Sequence, residues 1–153
     1  MPIISAPEGR FDNLPDYPFA PHFVEVGDGL KMHYVDEGAG NEVILCLHGQ
    51  PSWSFLYRHM IPILAEKYRV IAPDLIGFGK SDKYTELDEY SYDMHYTALN
   101  NFIKALDLTN ITLICQDWGG VLGLPMASVE QPERFARLVI MNTGLPTGDV
   151  RQP

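Results

Sequence analysis

The sequence predicts an α/β fold built on a mostly parallel, doubly wound sheet. Three observations carry this expectation. Strand-like segments come first, at His22–Val26 and Leu30–Val35, before any helical pattern. From Val43 onward, strand and helix patterns alternate, which is the rhythm of right-handed βαβ crossovers. Val43-Ile44-Leu45-Cys46-Leu47 and Ile111–Cys115 are continuously apolar, as strands buried on both faces of a parallel sheet must be.

Each element has its own signal. Residues 1–20 are rich in Pro and Gly and read as an irregular lead-in. Leu30–Val35 alternates apolar and polar residues, which predicts an antiparallel strand with one wet face. Ser54–Lys67 is helix-like, and Pro62 should kink or restart it. Tyr68–Pro73 reads as a strand leading into the turn-rich Asp74–Lys83. Tyr92–Leu106 spaces Met94, Leu99, Phe102, Ile103 and Leu106 as one face of a helix. Gly119–Glu130 follows the strand Ile111–Cys115 as a helix, with Pro125 sitting awkwardly inside it. Phe135–Met141 is the last strand. There are no internal repeats and no low-complexity tracts.

Composition narrows the function classes. The 153 residues are 46% hydrophobic, ordinary for a globular domain with a core. The net charge is -9, and no Lys/Arg cluster offers the basic patch that a nucleic-acid binder needs. No apolar run approaches the ~18 residues of a membrane span. Met1–Phe11 lacks a basic-then-apolar signal pattern, so a cytoplasmic protein with neither nucleic-acid nor membrane partners is expected. Cys46 and Cys115 lie within apolar strands and read as inert buried thiols. Nothing in the sequence calls for a cofactor or a metal.

The chemistry-bearing stretch is Ile111-Thr112-Leu113-Ile114-Cys115-Gln116-Asp117-Trp118-Gly119-Gly120. A buried strand ends, and a helix opens on two glycines. This is the context of a nucleophile elbow, where a strained turn presents a nucleophile and its neighbours must be small. Gly119 meets that need, and Cys115 stands where the serine form of the motif has its first glycine. The bland alternative is that Asp117 caps the following helix. As a nucleophile, an aspartate has a distinct use. Attack on an alkyl electrophile by serine gives an ether that water does not readily cleave. A carboxylate gives an ester, whose carbonyl carbon a second water can attack. Alkyl halides or epoxides are the matching substrates; esters and peptides are not.

A second loop, His48-Gly49-Gln50-Pro51, directly follows the strand Val43–Leu47. In this setting it supplies one oxyanion-hole N–H, from Gln50, and the residue after the nucleophile, Trp118, supplies the other. His48 precedes the nucleophile in the chain, whereas such folds place the base last, so it is expected to be structural.

With these loops placed, the chain resembles the haloalkane dehalogenases of the α/β-hydrolase superfamily. The resemblance rests on His48-Gly49-Gln50-Pro51-Ser52-Trp53-Ser54, Leu56-Tyr57-Arg58, Ile71-Ala72-Pro73-Asp74, Gly77-Phe78-Gly79-Lys80-Ser81-Asp82 and Gln116-Asp117-Trp118-Gly119-Gly120. Gly77–Asp82 is common to many α/β-hydrolases, whereas Gln116-Asp117-Trp118 is more specific; similar epoxide hydrolases usually have His where Gln116 stands. The branch most resembled takes a second halide donor from a Trp in a cap domain. The resemblance implies the following. Asp117 is the catalytic nucleophile, Gln50 and Trp118 give the oxyanion-hole backbone, and the Trp118 indole faces the leaving halide; Gln50 departs from the Asn or Glu that the family's branches carry there, and its amide is a candidate second halide donor. The substrate is a small apolar halogenated compound, which water converts to an alcohol and halide. Residues 21–153 then form a partial core domain ending at the entry to the cap, with the cap, closing strands, catalytic acid and catalytic histidine absent. A fragment of that kind should not turn over. Two other readings stay open: an epoxide hydrolase with the same nucleophile, and a non-catalytic truncated remnant.

Overall fold

A computed structural model describes residues 2–7 and 9–145. Its eight strands are β1 (Ile3–Ile4), β2 (His22–Glu25), β3 (Lys31–Glu37), β4 (Val43–Leu47), β5 (Arg69–Pro73), β6 (Lys83–Tyr84), β7 (Ile111–Gln116) and β8 (Phe135–Met141). The α-helices are α1 (Met60–Ala65), α2 (Tyr92–Ala105) and α3 (Trp118–Pro125). Six strands form one sheet in the order β2-β3-β5-β4-β7-β8. β2 and β3 pair antiparallel, β3 joins β5 antiparallel, and β5, β4, β7 and β8 run parallel.

The apolar run of β4 is explained by its two faces. Leu45 and Leu47 join a core that contains Leu99, Phe102 and Ile103 of α2 and Leu122 and Leu124 of α3. Ile44 and Cys46 point the other way, into a second core with Ile61 of α1 and Tyr57. The sheet is therefore covered on both sides, with α1 opposite α2 and α3. The chain leaves β4 for β5 on one side and crosses back to β7 on the other. The strand order reverses at β4, which makes the carboxyl ends of β4 and β7 the place where a doubly wound sheet opens a ligand crevice.

Several elements differ from expectation, each for a physical reason. β3 has no wet face: Met32, His33, Tyr34 and Val35 are all buried. The Asp74–Asp82 loop folds over the strand, with the Ser81 hydroxyl accepting from the His33 N–H at 2.8 Å and Asp82 accepting from the Lys31 N–H at 2.8 Å. The segment expected as one helix over 54–67 is a 3₁₀ turn, Ser54–Tyr57, followed by α1. Pro62 is the third residue of α1, in the first turn, where no N–H is needed. The helix expected over 119–130 ends as α3 at Pro125 and continues as a π-turn, Met126–Glu130. Pro125 has no N–H for the preceding turn, and the wider turn closes when the Gln131 N–H donates to Met126 O at 2.9 Å. The Ser128 hydroxyl donates to the Leu124 carbonyl at 2.8 Å. Within the irregular lead-in, β1 pairs antiparallel with β6.

α2 forms as the sequence predicts. The Ser91 side chain caps it by accepting from the Met94 N–H at 3.1 Å, and Leu99, Phe102 and Ile103 are its buried stripe. β8 spans the expected residues, but it is a sheet edge and most of its side chains are exposed.

Candidate active site

β7 delivers Asp117 to the carboxyl edge of the sheet, beside the loop that follows β4. Asp117 has φ 52° and ψ -126°, a region that non-glycine residues rarely occupy. Neighbouring groups hold this turn. The Asp117 N–H donates to Asn142 O at 3.1 Å, and its carbonyl accepts from the Thr143 hydroxyl at 2.6 Å and the Gly120 N–H at 3.0 Å. The capping alternative does not match the geometry: the Asp117 side chain makes no cap hydrogen bond to α3.

Small residues permit the approach. A Cβ on Gly119 would collide with the Leu47 and His48 carbonyls, so glycine lets α3 close onto the end of β4. A Cβ on Gly49 would collide with the Asp117 carboxylate. Cys115, buried in β7, fills its position with its thiol 3.8 Å from Val139 O. Burial pushes the Cys46 thiol up to about 12 and the Cys115 thiol up to about 11, so both are inert, as the sequence predicts.

The carboxylate lies beside the two backbone donors that the sequence singles out, and one of them, Gln50, bonds it directly. The Gln50 N–H donates to Asp117 Oδ1 at 2.8 Å. That bond first, then one from the Trp118 N–H, holds the Asp117 carboxyl below its ordinary value, against a smaller opposing effect of burial. Asp117 is therefore an ionised, oriented carboxylate at neutral pH.

His48 is wholly buried. Its Nδ1 lies 2.8 Å from Gly49 O, and its Nε2 accepts the Leu75 N–H at 2.9 Å. An accepting Nε2 places the proton on Nδ1, which donates to Gly49. The ring is thus neutral and fixes the loop carrying Gly49 and Gln50. Burial lowers its pKa, consistent with that state. Asp74 anchors the same region from below. Burial would raise its pKa, but the His33 ring at 2.8 Å and the N–H groups of Lys80 and Ser54 outweigh this and lower it.

A cavity of about 230 Å³ opens beside the elbow, lined by Gly49, Gln50, Phe78, His95, Trp118 and Leu122 among others. Trp118 is 42% exposed. Trp53, in contrast, is stacked on Phe55 at 5.4 Å and packed against Tyr17 and Phe11, outside the cavity lining. One residue at the site goes unnoticed in the sequence. His95 lines the cavity. The signal was its position in the first turn of α2: helices that follow parallel strands begin at the carboxyl edge of the sheet. Among the described residues no group of His, Cys, Asp and Glu is arranged to hold a metal, and no helix is long and apolar enough to cross a membrane.

A strained acidic residue on a strand-to-helix turn, facing the loop after a neighbouring parallel strand, is hydrolase architecture of the α/β class. Residues 42–152 match the family model for the alpha/beta hydrolase fold, and the chain belongs to that family. Haloalkane dehalogenases are among its relatives. Over 97% of its length it is 52% identical to the haloalkane dehalogenase of Psychrobacter cryohalolentis, of which it covers 51%. Over its whole length it is 46% identical to that of Mycolicibacterium paratuberculosis, of which it covers 52%. The solved tetrameric haloalkane dehalogenase of Paraglaciecola agarilytica superposes with a TM-score of 0.89 at 46% identity, over 94% of this chain and 50% of that one. An epoxide hydrolase of Vigna radiata superposes with a TM-score of 0.77 at 30% identity, over 88% of this chain and 42% of that one. The chain spans about half the length of the curated relatives it matches.

Proposed function

We propose that this chain is the nucleophile-bearing half of a haloalkane dehalogenase, acting through an alkyl ester on Asp117. The observation that carries the proposal is the Asp117 carboxylate, ionised on a strained elbow and held through one oxygen by the Gln50 N–H. The free oxygen attacks the halogen-bearing carbon. The carbon–oxygen bond forms as the carbon–halogen bond breaks, and halide leaves with the electron pair. The Trp118 indole N–H and the Gln50 amide, both in the cavity wall, face the developing anion; hydrogen bonds to charged groups contribute roughly 1.5–3 kcal/mol. Water then attacks the ester carbonyl carbon. Charge collects on the oxygen that faces the Gln50 and Trp118 N–H groups, each such donor being worth about 2.7–4 kcal/mol. Collapse releases the alcohol and regenerates the carboxylate, with a base taking the proton of the attacking water.

An epoxide opened by Asp117 would pass through the same kind of ester. The dehalogenase reading is favoured by the higher identity to the dehalogenases and by the apolar cavity walled by an indole. The test is incubation with a primary bromoalkane and, separately, a terminal epoxide, followed by mass analysis of the peptide containing Asp117. An alkyl adduct from the bromoalkane, with matching bromide and neither signal in Asp117→Ala, is expected. Bromide release retained by a folded Asp117→Ala protein overturns the assignment; an adduct from the epoxide alone favours the other substrate.

A further inference from the structure

His95 has no role in the reaction above, yet it occupies the wall of the same cavity as Trp118 and Gln50. It also lines a second cavity that shares Gln50, Phe78 and Tyr90 with the first, so the ring stands on the partition between them. Its surroundings are aromatic, with Phe78 at 6.4 Å and Tyr90 at 6.0 Å between ring centroids. Its Nδ1 is buried without a hydrogen-bond partner. An unpaired buried polar atom costs about 1–3 kcal/mol, and a leucine or phenylalanine here would pack without that cost.

Resting on the dehalogenase reading, we propose that His95 is a third anion-facing group of the halide cavity, one that tightens its hold on halide when protonated. The titratable groups around it are His48 behind the loop after β4, Lys83 and Tyr84 of β6, Tyr90 and Tyr92 around the start of α2, and Asp117 behind Gly49. The others are engaged by neighbours or shifted away from neutral pH. The Lys83 ammonium is held by the Gly79 and Ser81 carbonyls at 2.9 and 2.7 Å. Both nitrogens of His48 are bonded, the three tyrosines are raised by burial, and Asp117 is lowered. His95 has no hydrogen bond at its buried Nδ1 that would fix its protonation. Burial, and secondarily the nearness of His48, lowers its pKa, so the ring is neutral at pH 8 and gains its charge on the acidic side. An imidazolium facing an anion in an apolar cavity supplies a charge-assisted hydrogen bond, and by linkage the anion favours that proton.

The experiment is a sodium bromide titration of the intact protein carrying this chain, followed by tryptophan fluorescence at constant ionic strength, at pH 8 and pH 5. Saturable quenching is expected at both, with bromide bound at least about fivefold more tightly at pH 5. His95→Gln and His95→Phe should still be quenched saturably but lose that gain. A wild-type affinity independent of pH, or a gain that persists in both variants, overturns the proposal while leaving the halide site standing. Absence of saturable quenching at either pH removes the halide reading itself, and this proposal with it.

Discussion

The distance between Gly49 and Asp117 sets how the Asp117 carboxylate is held. The Gln50 N–H reaches the carboxylate because nothing projects from Gly49 toward it. A methyl group there must push the Asp117 side chain off the Gln50 and Trp118 donors. We expect Gly49→Ala to slow ester formation on Asp117 about a hundredfold, the usual cost of roughly 1 Å of misplacement, without loss of fold. Pre-steady-state bromide release with unchanged circular dichroism would show it; an unimpaired burst would mean the carboxylate has another seat. Trp118 offers a separable test. Phenylalanine leaves an aromatic ring in the cavity wall but removes the indole N–H, and the fluorophore with it, so bromide binding to Trp118→Phe is read by titration calorimetry and should weaken about tenfold or more. An affinity that survives intact would place the halide away from Trp118.

The loop after β4 is held by one ring. His48 ties Gly49 to Leu75 only while it is neutral, because Nε2 must accept. Its folded pKa lies below the ordinary 6.5, so the unfolded chain takes up the proton first. The stability this lends is present above about pH 6.5 and is lost as pH falls from there toward the folded pKa. His95, also lowered, adds in the same direction. Thermal unfolding followed from pH 8 to pH 5 should show a falling midpoint that His48→Asn flattens. A midpoint independent of pH across that window would sink the assignment of the neutral tautomer. The same loop shows what a sequence can and cannot disclose. The strained turn at Asp117 and its close approach to the loop after β4 are legible because such places admit few residue types, and Asp117, Gly119 and Gly49 are such residues. β4 and β7 are legible from their apolar runs. The buried His33 in β3 is not, because the loop that covers it arrives from some forty residues downstream and pairs with it through Ser81 and Asp74. His95 escaped for a similar reason: helical periodicity assigns a face toward the sheet but not an end toward the site. Pro62 and Pro125 signal interruption, yet only the backbone geometry decides that one is absorbed in a first turn and the other opens a π-turn.

At the scale of the molecule, the sheet of the described residues stops at β8, and most side chains of this strand are exposed. Leu138 is 48% exposed and Ile140 55%, and the two faces of a run as apolar as Phe135–Met141 belong inside a sheet. Among the described residues its only strand partner is β7, so its outer edge offers free N–H and C=O groups, a template for association. The catalytic inventory is similarly one-sided. A base for the second step needs a ring nitrogen near the attacking water and a partner that orients it. His33 is bound to Asp74, and both nitrogens of His48 are engaged. His22 lies on β2, His59 is exposed ahead of α1, and His95 reaches the cavity with its Nδ1 unpartnered, so no carboxylate orients it. The 153-residue chain by itself is therefore expected to self-associate. With excess bromoalkane it should release no more than one equivalent of bromide, leaving the alkyl group on Asp117. Size-exclusion chromatography with Val139→Lys, which charges the exposed strand, checks the first expectation, since the substitution should shift the chain toward monomer. Bromide counted against chain, with intact mass measured at the plateau, checks the second. Sustained release beyond one equivalent, abolished by His95→Gln, would make His95 the base and overturn the division of labour argued here.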